Sequence, residues 1–164
     1  MDLTSYSHED LLLAAIKSEE ESNQLYNKLA DHVENGLMKD KFKFLATEEK
    51  KHQEYISYLY KSEYPDKPLQ LPKTSPVPLP GVNVPDDENI AVSKILGQAM
   101  DAEKAAHDFY LALSERYDDA QIKNMLHYFA DMETGHYRML EQEKESMEWF
   151  EQSDVYWPMI HAGP

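Results

Sequence analysis

Four residues of polar chemistry occur twice in this chain at one fixed offset. Glu19, Tyr26, Glu49 and His52 return as Glu103, Tyr110, Glu133 and His136, each 84 positions later, and Ala15 and Ala46 return as Ala99 and Ala130. The Glu and Tyr residues sit on rows of heptad spacing. The rows are Leu12-Glu19-Tyr26-Val33, Phe42-Glu49-Ile56, Leu96-Glu103-Tyr110-Tyr117 and Leu126-Glu133-Leu140-Met147. The two His residues hold adjacent rows, Leu45-His52-Leu59 and Phe129-His136. Rows of this kind are the face that an amphipathic helix buries. The chain therefore reads as two helical halves in register. Each helix turns one Glu toward the core, and the second helix of each half adds a His three residues later.

Helix is also what the composition favours, with scarce Gly and abundant Glu, Lys, Leu and Ala. Ser7 is placed to cap the first helix, with Asp10 in the capping-box position. That helix is expected to run to His32–Glu34 and to stop at Asn35-Gly36. The second runs from about Leu37 to Lys61. Between Ser62 and Glu88 stand Pro65, Pro68, Pro72, Pro76, Pro78, Pro80 and Pro85, which predict an extended connector. The third helix is expected from Asp87–Asn89 to Arg116–Tyr117, with Asp118-Asp119 as the turn, and the fourth from Ala120 to Phe150. Hairpin 8–61, connector 62–88, hairpin 89–151 and tail 152–164 make one domain. At roughly 3 Å per residue the connector outreaches a helix of roughly 35–40 Å, so it can start the third helix from the far end of the bundle. The fold class is all-α: an antiparallel four-helix bundle of ferritin-like topology, two hairpins joined by one long crossover.

Equal distances from each turn put Glu19 level with Glu49, and Glu103 level with Glu133. All four carboxylates and both imidazoles should converge in mid-bundle. A buried carboxylate costs several kcal/mol, and four would rival the roughly 5–15 kcal/mol that holds a domain together. No Lys or Arg lies on these stripes at that level. Two divalent cations would neutralise four carboxylates, and the oxygen and nitrogen donors suit iron or manganese. The candidate ligands are Glu19, Glu49, His52, Glu103, Glu133 and His136, in the pattern of carboxylate-bridged dimetal bundles. A lone Glu-x-x-His arises by chance; two in register on apolar stripes do not.

Tyr26 and Tyr110 are candidate catalytic residues, as hydroxyls that orient a ligand carboxylate or donate an electron; the alternative is a core aromatic with a satisfied hydroxyl. His107 stands one turn after Glu103, where the first half has Asn23. It is a candidate seventh ligand, with a surface or outer-layer role the favoured reading. The tail, with Tyr156, Trp157, Met159 and His161, is expected to pack on the bundle or on a second subunit.

At these residues the sequence resembles the rubrerythrin-like branch of the ferritin-like superfamily. AIKSEEESNQLYNKLAD with FLATEEKKH, and AMDAEKAAHDFYLAL with YFADMETGH, match its two half-motifs, and the resemblance spans about residues 8–150 apart from the connector. It implies a di-iron domain in which Glu49 and Glu133 bridge, while Glu19, Glu103, His52 and His136 are terminal ligands. It implies reduction of hydrogen peroxide; relatives oxidise ferrous iron with dioxygen or peroxide. Three departures bear on this. Rubrerythrins proper carry a four-Cys rubredoxin module, whereas this chain has no Cys, so an external redox protein must donate electrons. Ala106 stands where they carry an additional carboxylate. Lys50 stands where haem-binding bacterioferritins have Met, so no haem is expected.

The expected function is thus a non-haem di-iron oxidoreductase with two iron ions per chain, or manganese or another divalent metal in their place. Its rivals are a ferroxidase or iron store, and a non-catalytic metal-binding module. Hydrogen peroxide or dioxygen, the donor protein and a second copy in a homodimer are the expected partners. The absence of Cys fits a reducing cytoplasm. The acidic start MDLTSYSHED carries no signal-peptide pattern, and no apolar run reaches the length of a membrane span. A net charge of −15 argues against nucleic acid and anionic membranes as partners.

Overall fold

A computed structural model describes residues 3–33, 35–80, 82 and 92–160, with side chains through residue 149. Four helices make up its regular structure: α1 (His8–His32), α2 (Gly36–Glu63), α3 (Val92–Ser114) and α4 (Ala120–Ile160). Among the described residues there is no strand, and no helix is long and apolar enough to cross a membrane.

The caps explain the boundaries. Ser7 Oγ accepts the Asp10 N–H at 3.1 Å and donates to Asp10 Oδ2 at 2.6 Å, so α1 starts where its capping residues stand. Asn35-Gly36 acts differently from expectation. Val33, in extended conformation, ends α1, and the Asn35 side chain accepts the Met38 N–H at 3.1 Å to open α2. Among the described residues no Gly has positive φ, so Gly36 is simply the first residue of α2. Asp119 Oδ1 accepts from the Gln121 and Ile122 N–H groups and opens α4 in the same way.

The expected start of α3 at Asp87–Asn89 lies outside the described residues. Its end comes at Ser114, because Arg116 and Tyr117 donate to the carbonyls three residues back, as a tightening last turn does. α4 continues to Ile160, past the expected stop near Phe150. The apolar stripe ends there, yet residues such as Glu151 and Gln152 favour helix without one. The side chains of Tyr156, Trp157 and Met159, and all of His161, lie outside the described residues.

Two apolar clusters fill the bundle. The first joins the start of α1, the end of α2, the end of α3 and the start of α4, through Leu11, Leu12, Ile56, Leu59, Leu113 and Leu126 among others. The second joins the opposite ends, through Leu25, Leu29, Phe42, Leu45, Leu96 and Leu140. Leu11, Leu12, Leu113 and Leu126 are fully buried, each worth ~1.5–3 kcal/mol.

The clusters fix direction: α1 and α4 run one way, α2 and α3 the other. The connector makes this possible. Its Leu69, Leu71, Val77 and Leu79 pack on the first cluster and Val82 on the second, so the chain traverses the bundle before α3 begins. Lys67 Nζ and Tyr60 Oη both donate to the Glu9 carboxylate, tying connector and α2 to the start of α1. Backbones lie closest within each hairpin, and across the hairpins α2 and α4 approach most nearly. These two helices carry the Glu-x-x-His pairs, so the midpoint of the bundle is where those pairs meet.

Candidate metal centre

Between the two clusters stand Glu19, Glu49, His52, Glu103, Glu133 and His136, each 3% exposed or less. They converge as two quartets: Glu19, Glu49, His52 and Glu133, and Glu49, Glu103, Glu133 and His136. Within each quartet the donor atoms lie within 4.8 Å of one another. Glu49 and Glu133 belong to both. Neither quartet is complete without the other hairpin, since Glu133 serves the first and Glu49 the second.

The imidazoles face inward through Nδ1. His52 Nδ1 lies 3.0 Å from Glu133 Oε1 and 3.6 Å from Glu19 Oε2 and from Glu49 Oε2. His136 Nδ1 lies 3.0 Å from Glu49 Oε1 and from Glu133 Oε2, and 3.6 Å from Glu103 Oε2. The two rings are stacked at 5.9 Å, and Phe129 packs on His52 at 4.3 Å.

Three oxygens crowd each Nδ1, which has one lone pair or one proton to offer. Glu49 Oε1, Glu133 Oε1, both nitrogens of His52 and His136 Nε2 are buried with no aligned hydrogen bond. Buried polar atoms are ordinarily satisfied. Apart from the 3.0 Å bond between His136 Nδ1 and Glu133 Oε2, these atoms converge without bonding one another, which fits a cation held among them, so this donor set suits the metal that its chemistry implies.

Without metal the six side chains share protons. Burial and the Glu49 charge push Glu19 up to about 8. Burial and the charges of Glu49 and Glu133 hold Glu103 well above the usual carboxylate range. Burial opposes the charged form of His52, but the nearby carboxylates of Glu133, Glu19 and Glu49 outweigh it and raise the ring to about 12. His136 is raised in the same way, by Glu103, Glu133 and Glu49 against its burial. Burial, with the Glu133 charge at Glu49 and the Glu19 charge at Glu133, works against ionisation, yet the imidazoles prevail and hold both below the ordinary value. These directions favour charged imidazoles beside ionised Glu49 and Glu133, and the protonated forms of Glu19 and Glu103. The cost of burying four carboxylates is met by protons when metal is away.

Tyr26 and Tyr110 are buried, and their hydroxyls reach the centre. Tyr26 Oη donates to Glu103 Oε1, and Tyr110 Oη to Glu19 Oε1. Each tyrosine thus braces the carboxylate of the opposite hairpin, a crossing that heptad spacing within one helix cannot show. Burial, then the nearby carboxylates, hold both phenols protonated as donors.

His107 does not join either quartet. Its Nδ1 donates to the Ala130 carbonyl at 2.8 Å, with Thr134 Oγ1 at 3.2 Å. Asn23, 84 residues earlier, donates its amide to the Ala46 carbonyl at 2.5 Å. The same brace therefore recurs in both hairpins, and the offset that aligns Ala46 with Ala130 is the signal that finds it.

A recess of about 370 Å³ opens between α3 and α4, and Glu103 and Glu133 are among the residues that line it. His107, Thr134 and Tyr137 line it too, with exposed Lys104 and Asp108 toward solvent.

A further polar pair escaped the sequence reading. Lys41 of α2 donates to Glu143 of α4, which is 6% exposed, at the end of the bundle filled by the second cluster. Their counterparts 84 residues away are Met125 and Leu59. Glu143 lies seven residues after His136, so its place on the buried row was the available signal.

Comparisons with known proteins agree with the fold. The rubrerythrin family model matches residues 10–144. A solved structure of a hypothetical protein from Pyrococcus furiosus is similar at 34% identity and a TM-score of 0.80, covering 91% of this chain and 95% of its own. Among curated proteins none gives a significant match.

Proposed function

We propose that this chain, which belongs to the rubrerythrin family, is a non-haem di-iron oxidoreductase that reduces hydrogen peroxide with electrons from an external donor protein. The observation that carries the reading is the pair of quartets sharing Glu49 and Glu133. Those two carboxylates would bridge two cations, Glu19 and His52 would complete one site, and Glu103 and His136 the other. When bound, two ferrous ions supply the two electrons that cleavage of an O–O bond consumes. The protein's own part is placement. Tyr26 and Tyr110 fix the terminal carboxylates of opposite hairpins. The apolar clusters on either side, with Phe129 against His52, keep bulk water from the centre. The lack of Cys supports an external donor and a cytoplasmic setting. A homodimer belongs to the same proposal.

A ferroxidase, with ferrous iron as substrate, is the second reading. It is favoured by Ala106, where the family resemblance leads one to look for an additional carboxylate.

The test is metal content after iron-supplemented growth, then anaerobic ferrous titration followed by peroxide or dioxygen. Two irons per chain, oxidised within seconds by peroxide and restored by reductant, support the peroxidase. Oxidation by dioxygen alone, with ferric product leaving the protein, supports the ferroxidase. Absence of tightly held metal overturns both and leaves a non-catalytic bundle.

A further inference from the structure

The geometry points to the groove between α3 and α4 as the route by which a divalent cation reaches the centre, with the His107 imidazole as its outer station. This rests on the dimetal reading above.

The recess in that groove touches Glu103 and Glu133, which are 2% and 1% exposed and belong to the second quartet. It therefore comes up to two candidate ligands from the solvent side, while their carboxylates stay buried. The repeat supplies a control within the same molecule. On the first hairpin, Lys50 stands for Thr134, Gln53 for Tyr137 and Asn23 for His107. Lys50 Nζ donates to Gln53 Oε1 at 2.8 Å. A long cation thus sits beside Glu49 where a small hydroxyl sits beside Glu133.

His107 has more chemistry than its bracing contact needs. Asn23 makes the same contact with an amide. In His107 the bond to the Ala130 carbonyl places the ring proton on Nδ1 and leaves the Nε2 lone pair for a ligand. That is the usual arrangement of a metal-binding imidazole. His107 follows Glu103 by one helical turn, so the two side chains are neighbours on one face, about 5–6 Å apart at Cβ. A cation held at His107 is one step from the second quartet. Asp108 and Lys104 at the mouth offset one another, and the overall charge of −15 draws cations to the surface.

The experiment is stopped-flow uptake of Co(II) by the metal-free full chain, read from the ligand-field absorbance, with final stoichiometry and a thermal melt for each variant. His107→Asn copies Asn23 and keeps the brace; Thr134→Lys copies Lys50. Both are expected to bind two cobalt ions with the parental final spectrum. Uptake should slow about tenfold in His107→Asn, the scale of losing one supporting ligand, and at least as much in Thr134→Lys. A parental rate in either variant, with two cobalt ions bound, overturns the route. Should Thr134→Lys fail to fold, His107→Asn decides alone. A parent chain that binds no cobalt overturns the dimetal reading and the route together, whereas equal rates in chains that load fully overturn only the route.

Discussion

Loading the centre should expel protons, and the number follows from the side chains. At neutral pH the metal-free site holds protons on His52, His136, Glu19 and Glu103, because these are raised to about 12, further still, about 8 and well above the carboxylate range. Glu49 and Glu133 are held ionised. The sum is zero: two imidazolium charges against two carboxylates. With two divalent cations the sum is again zero: four positive charges against four carboxylates, with both imidazoles neutral. Passing from one state to the other releases about four protons per chain. Calorimetric Co(II) titrations at pH 7 in buffers of different ionisation enthalpy measure this directly, as the slope of observed enthalpy against buffer enthalpy. A slope near four supports the proton-sharing site, and a slope of one or less refutes it. Stability has a matching signature. Glu19 and the imidazoles are raised, so their contribution is full below the unfolded values and is lost as pH rises through the folded ones. Glu49 and Glu133 are lowered, so theirs is present above the ordinary carboxylate value and is lost as pH falls. The metal-free protein should thus melt highest near the ordinary carboxylate value of 4.5 and lose ground as pH rises from there through about 8, by ~1.4 kcal/mol per pH unit for each proton retained only in the fold. The loaded protein should not follow that decline.

Other perturbations separate the roles of single side chains. Glu49→Ala, which removes an oxygen donor from both quartets, should abolish binding of both cations, whereas Glu19→Ala should spare one; metal analysis after gel filtration distinguishes them. Tyr26→Phe and Tyr110→Phe each leave a buried carboxylate without its donor. Urea melts of the metal-free protein should show a loss of about 1–3 kcal/mol for each, and metal affinity should fall about 10–100-fold. Lys41→Met strands the buried Glu143 and should cost up to about 3 kcal/mol, since the lysine is partly exposed. Lys41→Met with Glu143→Leu copies the Met125 and Leu59 of the other end and should recover most of that loss in the same melts.

The helices and the converging residues were legible because periodicity and the 84-residue offset are linear properties. Ser7 with Asp10 reads directly as a cap. Asn35-Gly36 does not, because a terminating αL residue and an opening N-cap favour overlapping residue types, and only backbone angles decide between them. The crossing of Tyr26 to Glu103 and Tyr110 to Glu19 was hidden for a different reason. Spacing places a tyrosine on the row of its own glutamate, but the ring is long enough to reach the facing helix. Proton sharing was hidden too. Adding up carboxylates suggests a charge that only metal can cancel, until distances of 3.0–3.6 Å between His52, His136 and the glutamates give protons a place to be shared. Glu143 was overlooked because its partner Lys41 lies on another helix, and no spacing rule joins them.

The division of ligands between hairpins ties the fold to the chemistry. Had each hairpin held a full quartet, either could bind metal alone, and docking of the halves would be indifferent to loading. Here Glu133 completes the site of the first hairpin and Glu49 that of the second. Across the hairpins the backbones come closest at α2 and α4, the two helices that carry these residues. The remaining links between halves include apolar side chains, the two tyrosine bonds, the Lys41–Glu143 pair and the bond from Arg116 to the Leu3 carbonyl. Any free energy of cation binding is therefore free energy of hairpin docking. The polar centre lies where the two apolar clusters leave off, so it alone can make the docked arrangement depend on metal. Loading should raise hydrogen-exchange protection most along the facing sides of α2 and α4 around Glu49 and Glu133. Protection that rose equally at the outer ends of the bundle would contradict this linkage.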